Sequence, residues 1–177
     1  MLRRSLLTSA IAASLLTTFS LPAFATQVYE TDLVIIGGGL SGLAAAQSAV
    51  DQGAKPIVLE KEAALGGGGN FPEGSLGVGT RYQKEHNINT TVDQVLTAAL
   101  QYHHYRADPH VLRVLIEESG KTIDWVMDKG AQMRGIRTMY PKDESLMTWH
   151  LFKGGAAGII QRFAKEVRAK GGTILTE

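Results

Sequence analysis

Leu33-Val34-Ile35-Ile36-Gly37-Gly38-Gly39-Leu40-Ser41-Gly42, followed 18 residues later by Glu60, is the stretch on which the reading of this chain turns. The run from Asp32 to Ile36, rich in β-branched residues, predicts a strand buried on both faces. Gly37 to Gly42 make a turn, and the alanine-rich Leu43 to Gln52 predicts a helix that Gly53 stops. Pro56-Ile57-Val58-Leu59 predicts a second strand, with the proline tolerated at its start. The glycines spell G-x-G-x-x-G. In such a unit Gly37 permits the tight turn, Gly39 lets backbone approach a pyrophosphate, and Gly42 lets the helix pack closely on the sheet. Phosphates would sit at the helix N-terminus, where free N–H groups and the positive dipole end favour an anion. Gly38, Leu40 and Ser41 fill the motif and belong to the expected cradle. Glu60 closes the second strand near the offset expected of a carboxylate that takes ribose hydroxyls.

The context therefore reads as a dinucleotide-binding βαβ unit. Glu60-Lys61 is followed after four residues by a second patch, Gly66-Gly67-Gly68-Gly69-Asn70. A second glycine patch so close to the ribose acid brings backbone to the ligand again. That suits FAD, the longer dinucleotide, better than NAD, which stays as the alternative.

Residues 1–25 read as a secretory signal: Arg3 and Arg4, an apolar run from Leu6 to Leu21, then Pro22 and the small-x-small site Ala23-Phe24-Ala25. The run is short for a span of ~30 Å of hydrocarbon, so a cleaved leader is expected rather than an anchor, with residues 26–177 as the mature chain and no membrane span within it. Export to the periplasm follows, and Arg3-Arg4 leaves the twin-arginine and general secretory routes both open. An exported protein leaves the NAD(P)H pool behind while a tightly held flavin travels with it, which again favours FAD. Without the two leader arginines the chain carries 16 basic and 17 acidic residues, so it has no electrostatic footprint for nucleic acid. The absence of cysteine excludes disulfides, thiolate metal sites and haem attachment through C-x-x-C-H within this sequence.

Further along, residues 64 to about 83 read as a long glycine-rich loop. Thr91-Val92-Asp93-Gln94 is a capping box that opens a helix to about His103. Asp108-Pro109 starts another, with Val111, Leu112, Leu115 and Ile116 on one face, a break expected at Gly120 and a stop at Gly130. A last helix spans about Ala156 to Lys170 with Ile159, Ile160, Phe163 and Val167 inward. Thr173 to Thr176 begins a strand in which the chain stops. The fold class is thus α/β: a Rossmann-type FAD-binding domain with a parallel sheet, incomplete at the C-terminus and the first part of a longer protein.

Asp32 to Asn70 resembles the flavoprotein subunits of fumarate reductase and succinate dehydrogenase, including exported flavocytochrome-type members. The likeness continues through PEGSLGVGTR (72–81), YHHYRADPHVL (102–112) and TWHLFKGGAAGIIQ (148–161). The resemblance implies that Gly37, Gly39, Ser41 and Gly42 hold the pyrophosphate and that Glu60, with Lys61 beside it, binds the adenosine ribose. It implies that Gly67, Gly68, Gly69, Asn70 and Gly77 belong to the loop passing the flavin side, although Leu76-Gly77 stands where members often have paired glycines. The implied reaction is hydride transfer from reduced flavin to an activated carbon–carbon double bond. The implied substrate is an unsaturated acid, or another activated alkene such as a ketosteroid, with electrons arriving from a separate carrier such as a cytochrome. The family's proton-donating arginine and its substrate-binding residues have no counterpart in these 177 residues, so no catalytic residue is assigned. A truncated, non-catalytic fragment is the competing reading.

His103, His104 and His110 lack ligand spacing, and no metal is expected. His150 is read either as a cofactor-facing side chain or as an ordinary buried one. Arg106 is expected to pair with Asp108, and Trp125 to lie in the core.

Overall fold

The computed structural model describes residues 27–139 and 146–177. The expected leader, residues 1–25, lies outside them. Thr31–Glu177 form one compact unit.

The βαβ unit forms as read. Strand β1 (Leu33–Ile36) turns at Gly37 into helix α1 (Leu40–Asp51), and the chain returns as strand β2 (Pro56–Leu59). β1 and β2 pair in parallel, Leu33 opposite Pro56 and Ile36 opposite Leu59. Four alanines favour α1, and Gly53 ends it at φ +83°, a conformation that glycine adopts without strain. Strand β6 (Thr173–Leu175) adds to the other edge of β2, also in parallel, giving the order β1-β2-β6.

The two faces of this sheet differ. Ile35, Val58 and Ile174 pack against Ala46 and Val50 of α1 and Val167 of helix α5 (Gly155–Ala169). On the opposite face Val34 is 53% and Ile36 88% exposed. The expectation of a strand buried on both faces is therefore corrected. Helices cover one face only among the described residues, and β1 has a single strand neighbour.

The expected loop after residue 64 also holds more structure than its composition shows. A 3-10 turn at Gly67–Asn70 leads into strand β3 (Gly74–Leu76) and the short helix α2 (Arg81–Glu85). β3 joins strands β4 (Met133–Thr138) and β5 (Met147–Phe152) in an antiparallel sheet ordered β3-β5-β4. Helix α3 (Val92–Tyr102) opens on the capping box, with Thr91 and Gln94 satisfying each other's backbone N–H. Helix α4 (Pro109–Asp128) opens on Asp108, whose carboxylate accepts from the N–H groups of His110 and Val111. That carboxylate caps the helix, and Arg106 does not pair with it.

α4 runs unbroken through Gly120, where a Cβ would overlap the carbonyl oxygen of Val78. The glycine there serves close packing rather than a break. The buried face of α4 is Ile116, Ser119, Gly120, Ile123 and Val126, with Leu112 packed beside Ile116; Leu112 and Ile116 of the expected stripe thus turn inward, whereas Val111 and Leu115 are exposed. The central core joins Leu43 of α1, Ile123 and Val126 of α4, Phe152 of β5, and Ile159, Ile160 and Phe163 of α5. Trp125 is half-buried against it, its ring 5.2 Å from that of Phe163.

Candidate functional site

The turn after β1 is built by three glycines with different jobs. Gly37 sits at φ +101° and donates its N–H to the Leu59 carbonyl at 2.7 Å, fastening the turn to β2. A Cβ on Gly42 would overlap the Gly37 carbonyl oxygen, so helix and turn touch without room for a side chain. Gly39 differs. A Cβ there would meet only the Gly66 carbonyl, at an ordinary 3.8 Å. Nothing among the described residues requires that position to be bare, whereas a ligand lying against it would.

Glu60 is bound into the same turn. Its Oε2 accepts from the Gly38 N–H at 2.7 Å and its Oε1 from the Glu62 N–H at 3.0 Å. These bonds, that from Glu62 first and that from Gly38 second, hold the carboxyl below the usual carboxylate range. A carboxylate has about four acceptor positions, so two remain for hydroxyl groups from outside. Lys61 points away, paired with Glu62 at 3.2 Å.

The second glycine patch folds onto the first. Gly66 donates to the Gly38 carbonyl at 2.9 Å and forms a parallel bridge with Gly39. The exposed Asn70 side chain packs against Gly66, which sits at φ +107°, and donates to the Leu65 carbonyl at 3.0 Å. Gly69 lies against the first residue of α1, where a Cβ would stand 3.0 Å from Leu40 Cβ. Gly67 and Gly68 are exposed and face open space. Both patches therefore meet at the N-terminus of α1.

Among the described residues nothing compensates that helix end. Its N-cap, Gly39, has no side-chain acceptor, and no acidic residue lies in the first turn. Ser41 is exposed there. Orphan N–H groups and the positive dipole end are left for an anion. Beside this end, off the C-terminal ends of β2 and β6, lies a groove of about 600 Å³. Leu65, Ile160 and Ala164 line it, with Lys165 and Arg168 at its edge. The donor set, the bare glycine cradle and the acid beside it together fit a dinucleotide diphosphate.

Gly77 falls elsewhere. It is buried, and a Cβ would come within 2.8 Å of the His150 ring and of Ile123. Packing inside the protein thus accounts for the glycine. His150 is fully buried in β5. Its Nδ1 donates to the Thr148 carbonyl at 3.0 Å, which leaves Nε2 to accept from the Thr80 hydroxyl at 2.8 Å. Burial, the larger effect, pushes its pKa below the ordinary histidine value. The same Thr80 caps α2 through a capping box with Gln83. This T-x-x-Q signal, identical to that at residues 91–94, is legible in the sequence. His103 and His104 lie at the end of α3, where His104 and Tyr105 take left-handed backbone, and His110 is the second residue of α4. No three His, Asp or Glu side chains gather as a metal site among the described residues.

The family matching this chain is described as "FAD binding domain", over residues 32–174. The chain belongs to that family, and FAD is its cofactor. Vinyl phenol reductase of Lactiplantibacillus plantarum is 35% identical over 129 residues, covering 73% of this chain and 26% of that protein. NADH:fumarate oxidoreductase of Klebsiella pneumoniae is 31% identical over 143 residues, covering 74% of this chain and 15% of that one. The fold matches an open-conformation flavocytochrome c3 fumarate reductase with TM-score 0.70 at 20% identity, over 96% of this chain and 28% of that one. It also matches a 3-ketosteroid-delta4-(5alpha)-dehydrogenase of Rhodococcus jostii, again with TM-score 0.70 and 20% identity, over 89% and 40%. The chain spans about a quarter or less of the length of these sequence relatives. Among the described residues no helix is long and apolar enough to cross a membrane.

Proposed function

We propose that this chain supplies the FAD-holding part of an exported, fumarate-reductase-like oxidoreductase that reduces an activated carbon–carbon double bond. The observation that carries the proposal is the meeting of two glycine clusters at the uncapped N-terminus of α1, with Glu60 fixed beside them. In this reading the first-turn amides of α1 and the bare backbone at Gly39 hold the diphosphate. Glu60 accepts from the adenosine ribose, and Lys61 lies outside it. Gly67, Gly68, Gly69 and Asn70 form the wall along which the rest of the cofactor runs. The groove bordered by Leu65, Asn70, Ile160, Lys165 and Arg168 lies beside this wall and takes one end of the cofactor.

When bound, FAD supplies the hydride chemistry; the protein contributes position and electrostatics. No residue of this chain is proposed to transfer a proton to substrate. The relatives named for reducing vinyl phenol and fumarate support a conjugated alkene, an unsaturated acid first, as substrate class. A separate electron carrier such as a cytochrome would deliver the electrons. Export, to the periplasm in this reading, is supported by the Arg3–Ala25 leader pattern alone.

The test is a titration of full-length protein with FAD and with NAD, followed by a reduced-dye assay on fumarate, acrylate and a hydroxystyrene. FAD bound tightly and NAD weakly, with one alkene oxidising the dye, is the expected result. NAD bound in preference to FAD would overturn the cofactor assignment, and FAD binding without turnover of any alkene would overturn the reaction class.

A further inference from the structure

Phe71 is 85% exposed, although it directly follows the second glycine patch in a well-fastened segment. The backbone around it is tied down on both sides. Asn70 is anchored through its side chain to the Leu65 carbonyl at 3.0 Å, and the Phe71 N–H points to the Gly68 carbonyl at 3.5 Å. The Pro72 carbonyl accepts from the Ala156 N–H at 2.9 Å, at the start of α5, and the Glu73 carbonyl accepts from the Phe152 N–H at 3.0 Å. Phe71 is therefore not at the tip of a loose loop. A fixed backbone holds a large aromatic ring out into solvent.

Its neighbours say what such a ring would meet. Gly67 and Gly68 present bare backbone to open space, and Gly69 touches the first residue of α1. Asn70, the one polar side chain of the patch, is exposed but held against Gly66 by its bond to the Leu65 carbonyl. Gly67 and Gly68 thus leave a stretch of floor without side chains, close to the helix end that takes the diphosphate, and exposed Phe71 follows it with its N–H turned to the Gly68 carbonyl. That combination suits a planar aromatic group: the floor admits it and the ring covers it. Removing a phenyl ring and a planar heterocycle from water together is favourable, and aromatic contact adds to it.

We infer that Phe71 is the aromatic wall of the cofactor cleft, packing on a planar ring of bound FAD that lies over Gly67 and Gly68. The inference rests on the FAD reading above and adds a positioning residue to it. The planar ring is the isoalloxazine or the adenine, and the arms of the experiment separate them.

Deflavinated full-length protein, wild type, Phe71→Ala and Phe71→Trp, is titrated with FAD and with ADP, and iodide quenching of the bound flavin is recorded. Phe71 is exposed among the described residues, so Phe71→Ala should melt with wild type when FAD is absent. It should bind FAD about tenfold more weakly, the loss typical of one stacked base, and Phe71→Trp should restore affinity. Weaker FAD but unchanged ADP, with more iodide access, assigns the contact to the isoalloxazine. Parallel weakening of ADP, with unchanged iodide access, assigns it to the adenine. Unchanged affinity for both, or a lowered melting temperature without any change in affinity, overturns the inference while leaving the FAD reading intact. Failure of the wild type itself to bind FAD takes both down.

Discussion

The Glu60 carboxylate accepts a hydrogen bond from the Gly38 backbone N–H at 2.7 Å, across the turn that joins β1 to α1. One side chain thus fixes the glycine turn from the strand next door while keeping acceptor capacity outward. Glu60→Gln exchanges a charged acceptor for a neutral one. FAD affinity should fall roughly 10- to 100-fold, the range for hydrogen bonds to a charged group. Calorimetric titration of both proteins checks this. Equal affinities would remove Glu60 from the ribose.

Gly39 and Gly42 should separate binding from folding. A Cβ at Gly42 overlaps the Gly37 carbonyl, whereas a Cβ at Gly39 meets nothing closer than 3.8 Å. Gly42→Ala should therefore destabilise the unit by about 1–3 kcal/mol, the usual penalty of overpacking. Gly39→Ala should melt with wild type yet lose FAD. Paired thermal melts and FAD titrations read both effects.

His150 makes the stability of the second sheet depend on pH. Its folded pKa is depressed by burial, so the folded state binds fewer protons than the unfolded chain. The contribution is complete above the unfolded value of about 6.5 and shrinks as pH falls below it toward the folded pKa. Urea midpoints at pH 7.5 and 5.5 should show this loss, and His150→Gln should flatten it. A slope unchanged in His150→Gln would assign the pH dependence to other groups.

Asp51, at the end of α1, ties three helix ends together. It pairs with Lys129 at 2.5 Å and Lys170 at 2.7 Å, and accepts from Gln47 at 3.1 Å. Burial raises its pKa, but these three partners outweigh it and hold it below the ordinary aspartate value. Its stabilising effect is present above about pH 4 and is lost as pH falls through the depressed folded pKa. Asp51→Asn should lower stability by about 1–3 kcal/mol at pH 7, since both lysines lose a partly buried partner. The difference from wild type should shrink as pH falls below about 4, which chemical denaturation across pH 3 to 7 measures.

Local signals carried the first half of this fold. The run Leu33–Ile36, the glycine spacing, the stop at Gly53 and the caps at Thr91 and Asp108 each act within a few residues, and each is legible before folding. The antiparallel sheet is different. β3 pairs with β5 across 77 positions, Gly74 opposite Leu151, and no window around Gly74 contains its partner. β4 also carries Arg134, Gly135 and Arg137, which break the alternation that marks a strand. The same distance hid the reason for Gly77, because the ring filling its place belongs to His150, which follows far along the chain. At the cofactor site the composition named both glycine clusters, but their contact through Gly66 and Gly38 is tertiary. Phe71 carried no signal at all, since an aromatic residue after glycines reads as core until its exposure is known.

The side of the parallel sheet that the described residues leave uncovered has a consequence for handling this stretch of chain by itself. Val34 and Ile36 face water on a strand whose outer edge has no neighbour among the described residues. Backbone N–H and C=O groups along such an edge template the addition of another strand, and the greasy side chains beside it reward the encounter. Preparations of this unit should self-associate through β1 as concentration rises. A lysine in place of Val34 is the substitution best placed to keep them dispersed without touching the helical side of the sheet.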